Sequence, residues 1–277
     1  MNDSRPVSNR SSQIWAHAIL IMGIATVVFP FLWMLATAFK RGAEIYSISL
    51  IPKRPTLANF RYLLERTMYG RWYLNSLIIA TVVTLSELFF DSMAGYALAK
   101  LRFPGRNLVF VLILSTMMIP TEMLIIPWYL MFTRTGWIDT HWGVMLPGLI
   151  SAFGVFLMRQ FMQGMPDDLL SAGRIDGLNE FGVWWHVALP NVRPALAALA
   201  ILVFLGNWNA YLWPVIAIES AKMRTLPVGM SLFSGEAGSE WQLIMAAATL
   251  AVIPIMIIYS VFQRQIVEGV ALTGMKG

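Results

Sequence analysis

The stretch SAGRIDGLNEFGVWWHVALP, residues 171–190, is a polar interruption in a chain made mostly of apolar runs. Its polar side chains include Arg174, Asp176, Asn179, Glu180 and His186. Two apolar runs flank it, residues 143–162 and 194–218. Each is long enough to cross a bilayer, which takes about 20 mostly apolar residues. The stretch is therefore predicted to connect two membrane spans.

The composition of the whole chain also indicates a membrane protein. Of its 277 residues, 57% are hydrophobic and 13% are charged, whereas soluble domains carry about 25% charged residues. Only helices and closed barrels satisfy their backbone polar groups in lipid, and the alternating polarity of barrel strands is absent. We therefore predict an all-α transmembrane fold with six spanning helices. The six apolar runs are residues 14–39, 72–99, 108–132, 143–162, 194–218 and 243–262.

The spans are expected to form one domain, residues 13–277, after a disordered cytoplasmic tail, residues 1–12. The first run is longer than the apolar core of a signal peptide, about 7–15 residues, so we expect it to remain as a span. With both termini inside, the lysines and arginines divide equally between the two sides. The loop KLRFPGR at 100–106 nevertheless concentrates three cations, which favours its cytoplasmic placement. Both termini are therefore predicted to be cytoplasmic.

The sequence lacks the motifs of several classes of enzyme and nucleotide-binding protein. The chain has no cysteine, no phosphate-binding G-x-x-x-x-G-K-[ST] loop, no H-E-x-x-H and no G-x-S-x-G. His17, His141 and His186 fall in different segments, which argues against a histidine-based metal site. No dense basic patch indicates a nucleic-acid site. An intramembrane enzyme is a distant hypothesis, because no nucleophile–base or metal constellation supports it.

The polar module, residues 166–190, begins with the signals of a short helix. Pro166 suits a first helical turn, and Asp167 and Asp168 suit the positive end of a helix dipole. Gly177 is expected to end this helix, because glycine adopts the left-handed conformation that commonly follows a helix.

A second short helix is expected over residues 179–189, closed by Pro190. Two interpretations of the pair are open. One is an amphipathic hairpin lying in the membrane interface, anchored by Trp184 and Trp185. The other is a docking surface that transmits force from a soluble partner to the bundle.

The spacing in this module resembles the EAA loop of ATP-binding-cassette importer permeases, E-A-A-x3-G-x9-I-x-L-P. The chain has Ser171-Ala172-Gly173, three residues, Gly177, nine residues, and then Val187-Ala188-Leu189-Pro190. Ser171 stands where the family has its glutamate, and Gly173 where it has its second alanine. The missing glutamate leaves open whether an anchoring salt bridge forms at that position.

The resemblance extends along nearly the whole chain and indicates the carbohydrate-uptake branch, within it the MalG-like or UgpE-like subunit. The stretches that carry it are AGYALAKLRFPGR (94–106), MMIPTEMLIIPWYL (117–130), FLGNWNAYLWP (204–214), TLPVGMSLF (225–233) and GVALTGMKG (269–277).

This resemblance implies a type I importer permease in a bacterial or archaeal cytoplasmic membrane, with no catalysis of its own. The implied partners are a homologous second permease, a separate ATPase dimer that carries ATP and Mg, an extracytoplasmic solute-binding protein and a sugar-type substrate. Residues 273–277 would reach the ATPase interface and residues 219–241 the binding protein, unless they are only a frayed terminus and an exposed loop. The implied ATPase-coupling positions are Ser171, Ala172, Gly173, Arg174, Asp176, Gly177, Leu189 and Pro190.

Ionisable residues within the predicted spans offer a rival hypothesis. A charge in lipid costs about 2.5–3.5 kcal/mol on insertion scales, so such residues are often functional. Glu87 and Asp91 lie one helical turn apart on one face of the second span, as an ion-coupled secondary carrier would require. They equally suit a partner subunit or a water-filled vestibule. Glu122, beside Pro120 in a span expected to break, either lines a path or caps a helix.

Amides and aromatic rings suit the hydroxyls and ring faces of sugars, although near span ends they also serve as packing and interfacial anchors. The default solute is a neutral oligosaccharide or glycoside. The seven cations of residues 40–71 also suit an anionic sugar derivative or lipid headgroups. The further candidates for the translocation path are Asn75, Ser76, Asn207, Trp208, Asn209 and Tyr211.

Overall fold

The computed structural model describes residues 10–47, 49–235 and 238–274, and its architecture is helical as predicted. A single strand pair, β1 (Ser234–Gly235) with antiparallel β2 (Gly238–Ser239), is the exception in this part of the chain. The helices are α1 (Arg10–Ala38), α2 (Ala58–Arg66), α3 (Tyr69–Lys100), α4 (Arg106–Thr116), α5 (Thr121–Thr135), α6 (His141–Met145), α7 (Ala152–Gln163), α8 (Asp167–Ile175), α9 (Glu180–Val183), α10 (Leu189–Asn191), α11 (Arg193–Trp208), α12 (Leu212–Ala217), α13 (Leu226–Met230) and α14 (Trp241–Gly274).

Short turns of other helix types complete the element order. They are the 3-10 turns Gly42–Tyr46, Leu146–Gly148 and Ser231–Phe233, and a π-helical turn at Trp184–Ala188. Helix α1 begins at Arg10, three residues inside the segment that the sequence assigned to the tail, and residues 1–9 lie outside the described residues.

Among the described residues, three helices are by themselves long and apolar enough to cross a membrane: Gln13–Ala38, Tyr69–Lys100 and Trp241–Gln263. Three bent helix pairs pass the same test when each pair is taken as one span, which raises the number to six by length and composition. The pairs are Arg106–Thr116 with Thr121–Thr135 (92°), His141–Gly148 with Ala152–Gln163 (42°), and Glu180–Asn191 with Arg193–Trp208 (85°).

The break of the run at 108–132 was predicted from its prolines, whereas the division of the run at 194–218 was not. The run at 108–132 divides before Thr121, where Pro120 lacks the backbone N–H that would continue a helix. The run at 194–218 also divides, because α11 ends at Trp208 and the separate helix α12 begins at Leu212.

The chain divides into two compact units, and each is described separately. The first comprises Met1–Thr67 and Phe233–Leu250. Within it, Asn59 on α2 donates from Nδ2 to the carbonyl oxygens of Ala38 (2.7 Å) and Lys40 (3.0 Å). These bonds satisfy the last carbonyl of α1 and a carbonyl of the segment that follows it.

The second unit comprises Met68–Leu232 and Ala251–Gly277, and α3 is its central helix. Helices α7 and α11 both pack against α3. Gly95 allows the close approach of α7, because a Cβ there would lie 2.8 Å from both Arg159 N and Met158 Cβ. The buried core around this contact includes Ile79, Val83, Tyr96, Met158, Met162, Leu199 and Val203.

Candidate functional site

The polar module forms a helical hairpin whose first arm is α8, Asp167–Ile175. Gly177 ends this arm as predicted, with a φ of +85°. Its N–H donates to Arg174 O and the N–H of Leu178 donates to Gly173 O, both at 3.1 Å. This pair of bonds is the Schellman arrangement, which satisfies the last carbonyls of a helix and favours glycine at the left-handed position.

The second arm begins where Asn179 Oδ1 accepts a hydrogen bond from Gly182 N at 2.8 Å, a side-chain cap for α9. The arm ends at Asn191, one residue after the predicted Pro190, and the chain then bends by 85° into α11. A π-helical turn at Trp184–Ala188 precedes the proline. Its wider winding relaxes the clash that a proline ring makes with the preceding turn of an α-helix.

The two tryptophans of the module occupy different environments. Trp184 is buried, with its ring edge-on to Phe89 at 5.3 Å and beside Phe181 at 5.1 Å. Trp185 is half exposed and stacks against Phe181 at 6.5 Å. The interfacial-anchor interpretation therefore applies to Trp185, whereas Trp184 packs in the interior.

Two polar contacts attach the hairpin to α3. Lys100 donates from Nζ to Asp167 Oδ1 at 2.6 Å and to Met165 O at 2.5 Å. The Lys100 ammonium group holds the pKa of the Asp167 carboxyl below its usual value. Tyr96 donates from Oη to Glu180 Oε2 at 2.8 Å.

Glu180 also joins the two arms of the hairpin to each other. Arg174 donates from Nε to Glu180 Oε1 at 2.7 Å and from a terminal nitrogen to Oε2 at 3.2 Å. A carboxylate that receives two parallel guanidinium bonds has a fixed orientation. The carboxylate of Glu180 thus connects α8, α9 and α3.

The predicted coupling positions divide into exposed and packed residues. Gly173 is buried, and a Cβ there would lie 3.1 Å from Val187 Cγ2, so an alanine at this position would require Val187 to shift slightly. Ser171 donates its hydroxyl to Asp167 O at 3.0 Å within its own helix. Leu189 is half buried, and the exposed positions are Ser171, Ala172, Arg174, Asp176, Gly177 and Pro190.

Sequence reasoning missed Ile175, whose side chain is 86% exposed at the end of α8. Its side chain lies beside the hairpin turn and next to two of the predicted coupling positions. The available signal was its position between Arg174 and Asp176, two residues that the spacing had already selected.

Asn75 and Ser76, predicted for the translocation path, are buried and engaged in contacts of the fold. Asn75 donates from Nδ2 to the carbonyls of Lys222 and Arg224, both at 2.9 Å. Ser76 Oγ accepts a hydrogen bond from Leu226 N at 2.8 Å. Asn75 holds the segment before α13 against α3, and Ser76 holds the first residue of α13.

Asp139, which the sequence did not indicate, supports residues 219 and 220, just before the segment that Asn75 binds. Asp139 Oδ1 accepts hydrogen bonds from Glu219 N (3.1 Å), Ser220 N (2.9 Å) and Ser220 Oγ (3.0 Å). Its φ of +59° marks a turn that asparagine and aspartate tolerate better than other side chains.

Glu87 and Asp91 are both buried on α3. Asp91 accepts hydrogen bonds from Ser151 N at 3.2 Å and from Ser151 Oγ at 3.1 Å. Ser151 in turn caps α7 by accepting from Gly154 N at 2.9 Å. The carboxylate of Asp91 therefore holds the start of α7.

The other residues predicted to line the translocation path lie in different environments. Glu122 is exposed in the first turn of α5. Asn207 and Asn209 donate to carbonyls of their own helix, Val203 O and Leu205 O, both at 2.9 Å. Trp208 is buried edge-on to Tyr73 at 5.2 Å, and Tyr211 is 45% exposed. Their assignment to a translocation path stays a prediction.

Within the described ranges, no group of three or more His, Cys, Asp or Glu side chains is arranged to hold a metal ion. Two predictions fall partly outside these ranges. They concern residues 275–277 of the C-terminal segment 273–277, and residues 236 and 237 of the loop 219–241.

Comparison with known proteins gives concordant matches. The family described as "Binding-protein-dependent transport system inner membrane component" matches residues 91–271. The arabinooligosaccharides transport system permease protein AraQ of Halalkalibacterium halodurans is 37% identical, over 94% of this chain and 96% of that protein. The sn-glycerol-3-phosphate transport system permease protein UgpE of Brucella abortus is 33% identical, over 99% of both chains.

A solved structure has the same fold. In the crystal structure of a bacterial ABC transporter involved in the import of the acidic polysaccharide alginate, one chain superposes with a TM-score of 0.82 at 24% identity. The match covers 94% of this chain and 99% of that one. A chain of the alginate transporter in complex with an alginate pentasaccharide-bound periplasmic protein matches with a TM-score of 0.64 at 12% identity. The likeness in fold therefore spans nearly the whole chain.

Proposed function

Because this chain belongs to the binding-protein-dependent transport system inner membrane components, we propose that it is the permease subunit of an ATP-driven importer for a sugar or sugar derivative. The related permeases are named for arabinooligosaccharides and for sn-glycerol-3-phosphate. The family favours this function over an ion-coupled carrier. The binding of Asp91 to Ser151 gives that buried carboxylate a role in the fold that needs no transported ion.

The observation that carries the coupling role is the α8–α9 hairpin. Its outer side presents Ala172, Ile175 and Gly177, and its inner side is held to α3 by Tyr96 and Lys100. A protruding, well-supported surface with small residues lets another backbone approach closely. We assign this surface to a separate ATPase chain, which supplies ATP and Mg.

A copurification experiment tests this assignment. The permease is expressed with its ATPase, second permease and binding protein, extracted in mild detergent and captured through the permease. Ala172→Arg, which places a long charged side chain on the outer side of α8, is expected to reduce the recovery of the ATPase chain. Ala58→Arg is the matched control, because Ala58 is also exposed but lies on α2. Equal ATPase recovery with both variants would place the contact elsewhere.

The Lys100–Asp167 contact supports a consistent orientation. It places the hairpin beside the 100–106 loop, which carries three cations. The positive-inside rule assigns such a loop to the cytoplasm. The hairpin therefore faces the compartment that contains ATP, and the termini are cytoplasmic if the chain crosses the membrane six times.

The substrate class is tested by transport. The complete importer is reconstituted in liposomes with its binding protein and ATP, and uptake is measured for a labelled arabino-oligosaccharide and for labelled sn-glycerol-3-phosphate. ATP-dependent accumulation of either compound, or of another sugar in a panel, supports the proposal. Accumulation of amino acids or peptides without any sugar would reject the substrate class.

A further inference from the structure

The covalent connection between the membrane bundle and the hairpin is short. Helix α7 ends at Gln163 and α8 begins at Asp167, so three residues, 164–166, join them. Lys100 bridges this joint by binding Met165 O and the Asp167 carboxylate. Its side chain is 7% exposed, whereas that of Asp167 is 77% exposed. Lys100 thus reaches from the interior of the bundle to the outer hairpin.

A second attachment uses Tyr96, one turn earlier on α3. The Arg174–Glu180 pair is 39% and 47% exposed, and exposed ion pairs contribute little alone. Tyr96 is 3% exposed, and its hydroxyl binds the same carboxylate. The phenol therefore connects a partly solvated pair to the packed core.

On its other face, α3 is locked to α7. The contact at Gly95 leaves no room for a Cβ against Met158. Arg159 donates from Nε to Leu98 O at 3.3 Å, and Asp91 holds the first residue before α7 through Ser151. A displacement delivered to the end of α3 therefore reaches α7 along most of its length.

We propose that Tyr96 and Lys100 are positioning residues that transmit displacement of the hairpin to the paired helices α3 and α7. This inference rests on the proposed function, because it takes the hairpin as the surface that meets the ATPase. Without these contacts, the hairpin keeps its outer surface and the apolar packing of Trp184 on Phe89, but α8 and Glu180 lose their polar attachment to the end of α3. ATP hydrolysis would then continue with less transport.

The test compares Tyr96→Phe, which removes one hydroxyl and keeps the ring, with Lys100→Met, which removes the ammonium group and keeps the stem. In the reconstituted importer, Tyr96→Phe is expected to raise the ATP hydrolysed per solute transported by roughly 2- to 10-fold, the range that corresponds to one ordinary hydrogen bond. Lys100→Met removes two hydrogen bonds from a charged group and is expected to raise this ratio at least as much. Lys100→Arg is expected to retain most of the coupling. Tyr73→Phe is the matched control, because Tyr73 lies on the same helix α3 but its ring packs on Trp208 of α11.

A second measurement separates transmission from general damage. A nitroxide attached at Ile175→Cys reports the mobility of the hairpin, and it is expected to become more mobile with Tyr96→Phe but not with Tyr73→Phe. The ATPase should still copurify with Tyr96→Phe.

Unchanged coupling and unchanged mobility in both Tyr96→Phe and Lys100→Met would overturn the inference. Loss of ATPase binding in those variants would also overturn it, because the two residues would then shape the docking surface itself. Failure of the proposed function is distinguishable, since the unsubstituted permease would then recover no ATPase.

Discussion

The carboxylate of Asp91 accepts hydrogen bonds from both the backbone N–H and the hydroxyl of Ser151, 60 residues further along the chain. This contact joins α3 to the start of α7. Ser151 also caps α7, because its hydroxyl oxygen accepts a hydrogen bond from Gly154 N. A buried carboxylate that receives several hydrogen bonds is part of the structural framework of the bundle.

Removal of this carboxylate should destabilise the permease. Asp91→Ala leaves the Ser151 N–H and hydroxyl without their buried acceptor, which is expected to cost about 1–3 kcal/mol. Asp91→Asn keeps one acceptor oxygen and should cost less. Thermal unfolding of the purified protein in detergent measures the difference. An Asp91→Ala protein as stable as the unsubstituted one would show that the contact contributes nothing.

The close approach at Gly95 predicts opposite outcomes for two glycines of α3. Gly95→Ala places a methyl group 2.8 Å from Met158 Cβ and Arg159 N, and such overpacking is expected to cost about 1–3 kcal/mol. At Gly70 a Cβ meets nothing within 4 Å, so Gly70→Ala should leave stability unchanged or raise it slightly. The same thermal assay compares the two variants. Equal effects at both positions would contradict the packing described for α3 and α7.

Substitutions of Gly177 are expected to act through the backbone conformation that they allow and not through the size of the new side chain. Its φ is +85° and a Cβ would meet nothing within 4 Å. Gly177→Asn should therefore be tolerated, because asparagine adopts the left-handed region readily, whereas Gly177→Val should not. The variant with valine is expected to insert into the membrane but to hydrolyse ATP with little uptake. Full transport by Gly177→Val would remove the coupling role from this turn.

The absence of cysteine from the chain makes topology directly measurable. Ile175 and Tyr46 are 86% and 78% exposed, in α8 and in the 3-10 turn after α1. In cells that express the permease without its ATPase, so that the hairpin is uncovered, a membrane-impermeant maleimide should label Tyr46→Cys and spare Ile175→Cys, and permeabilisation should expose both. The reverse pattern would invert the proposed orientation.

The attachment of the hairpin through Lys100 is expected to be insensitive to pH over the physiological range. Lys100 lowers the pKa of Asp167, and an unperturbed aspartate titrates near pH 3.9. A depressed folded-state pKa means that the stabilisation is present above the unfolded value and is lost only as the pH falls through the lower folded value. The mobility of a nitroxide at Ile175→Cys should therefore stay constant from about pH 5 to 8. A transition within that window would show that another group controls the hairpin.

The sequence by itself determined the helical membrane fold and the end of α8. The length of six apolar runs is a local property, and so is the preference for glycine after the last turn of a helix, as Gly177 demonstrates. The resemblance of residues 171–177 to the family's loop also selected positions of α8 that the structure leaves exposed, with the exception of Gly173.

Only the tertiary structure decided which polar residues serve the fold. Asn75 and Ser76 have the composition of a sugar site, yet they bind backbone groups that lie 147–150 residues away. No sequence pattern marks Tyr96 as functional within its apolar helix, but its hydroxyl donates a hydrogen bond to Glu180, which lies 84 residues further along the chain. The physical reason is that capping, apolar length and turn preference depend on a few neighbouring residues, whereas the partner of a buried polar group depends on which helices pack together.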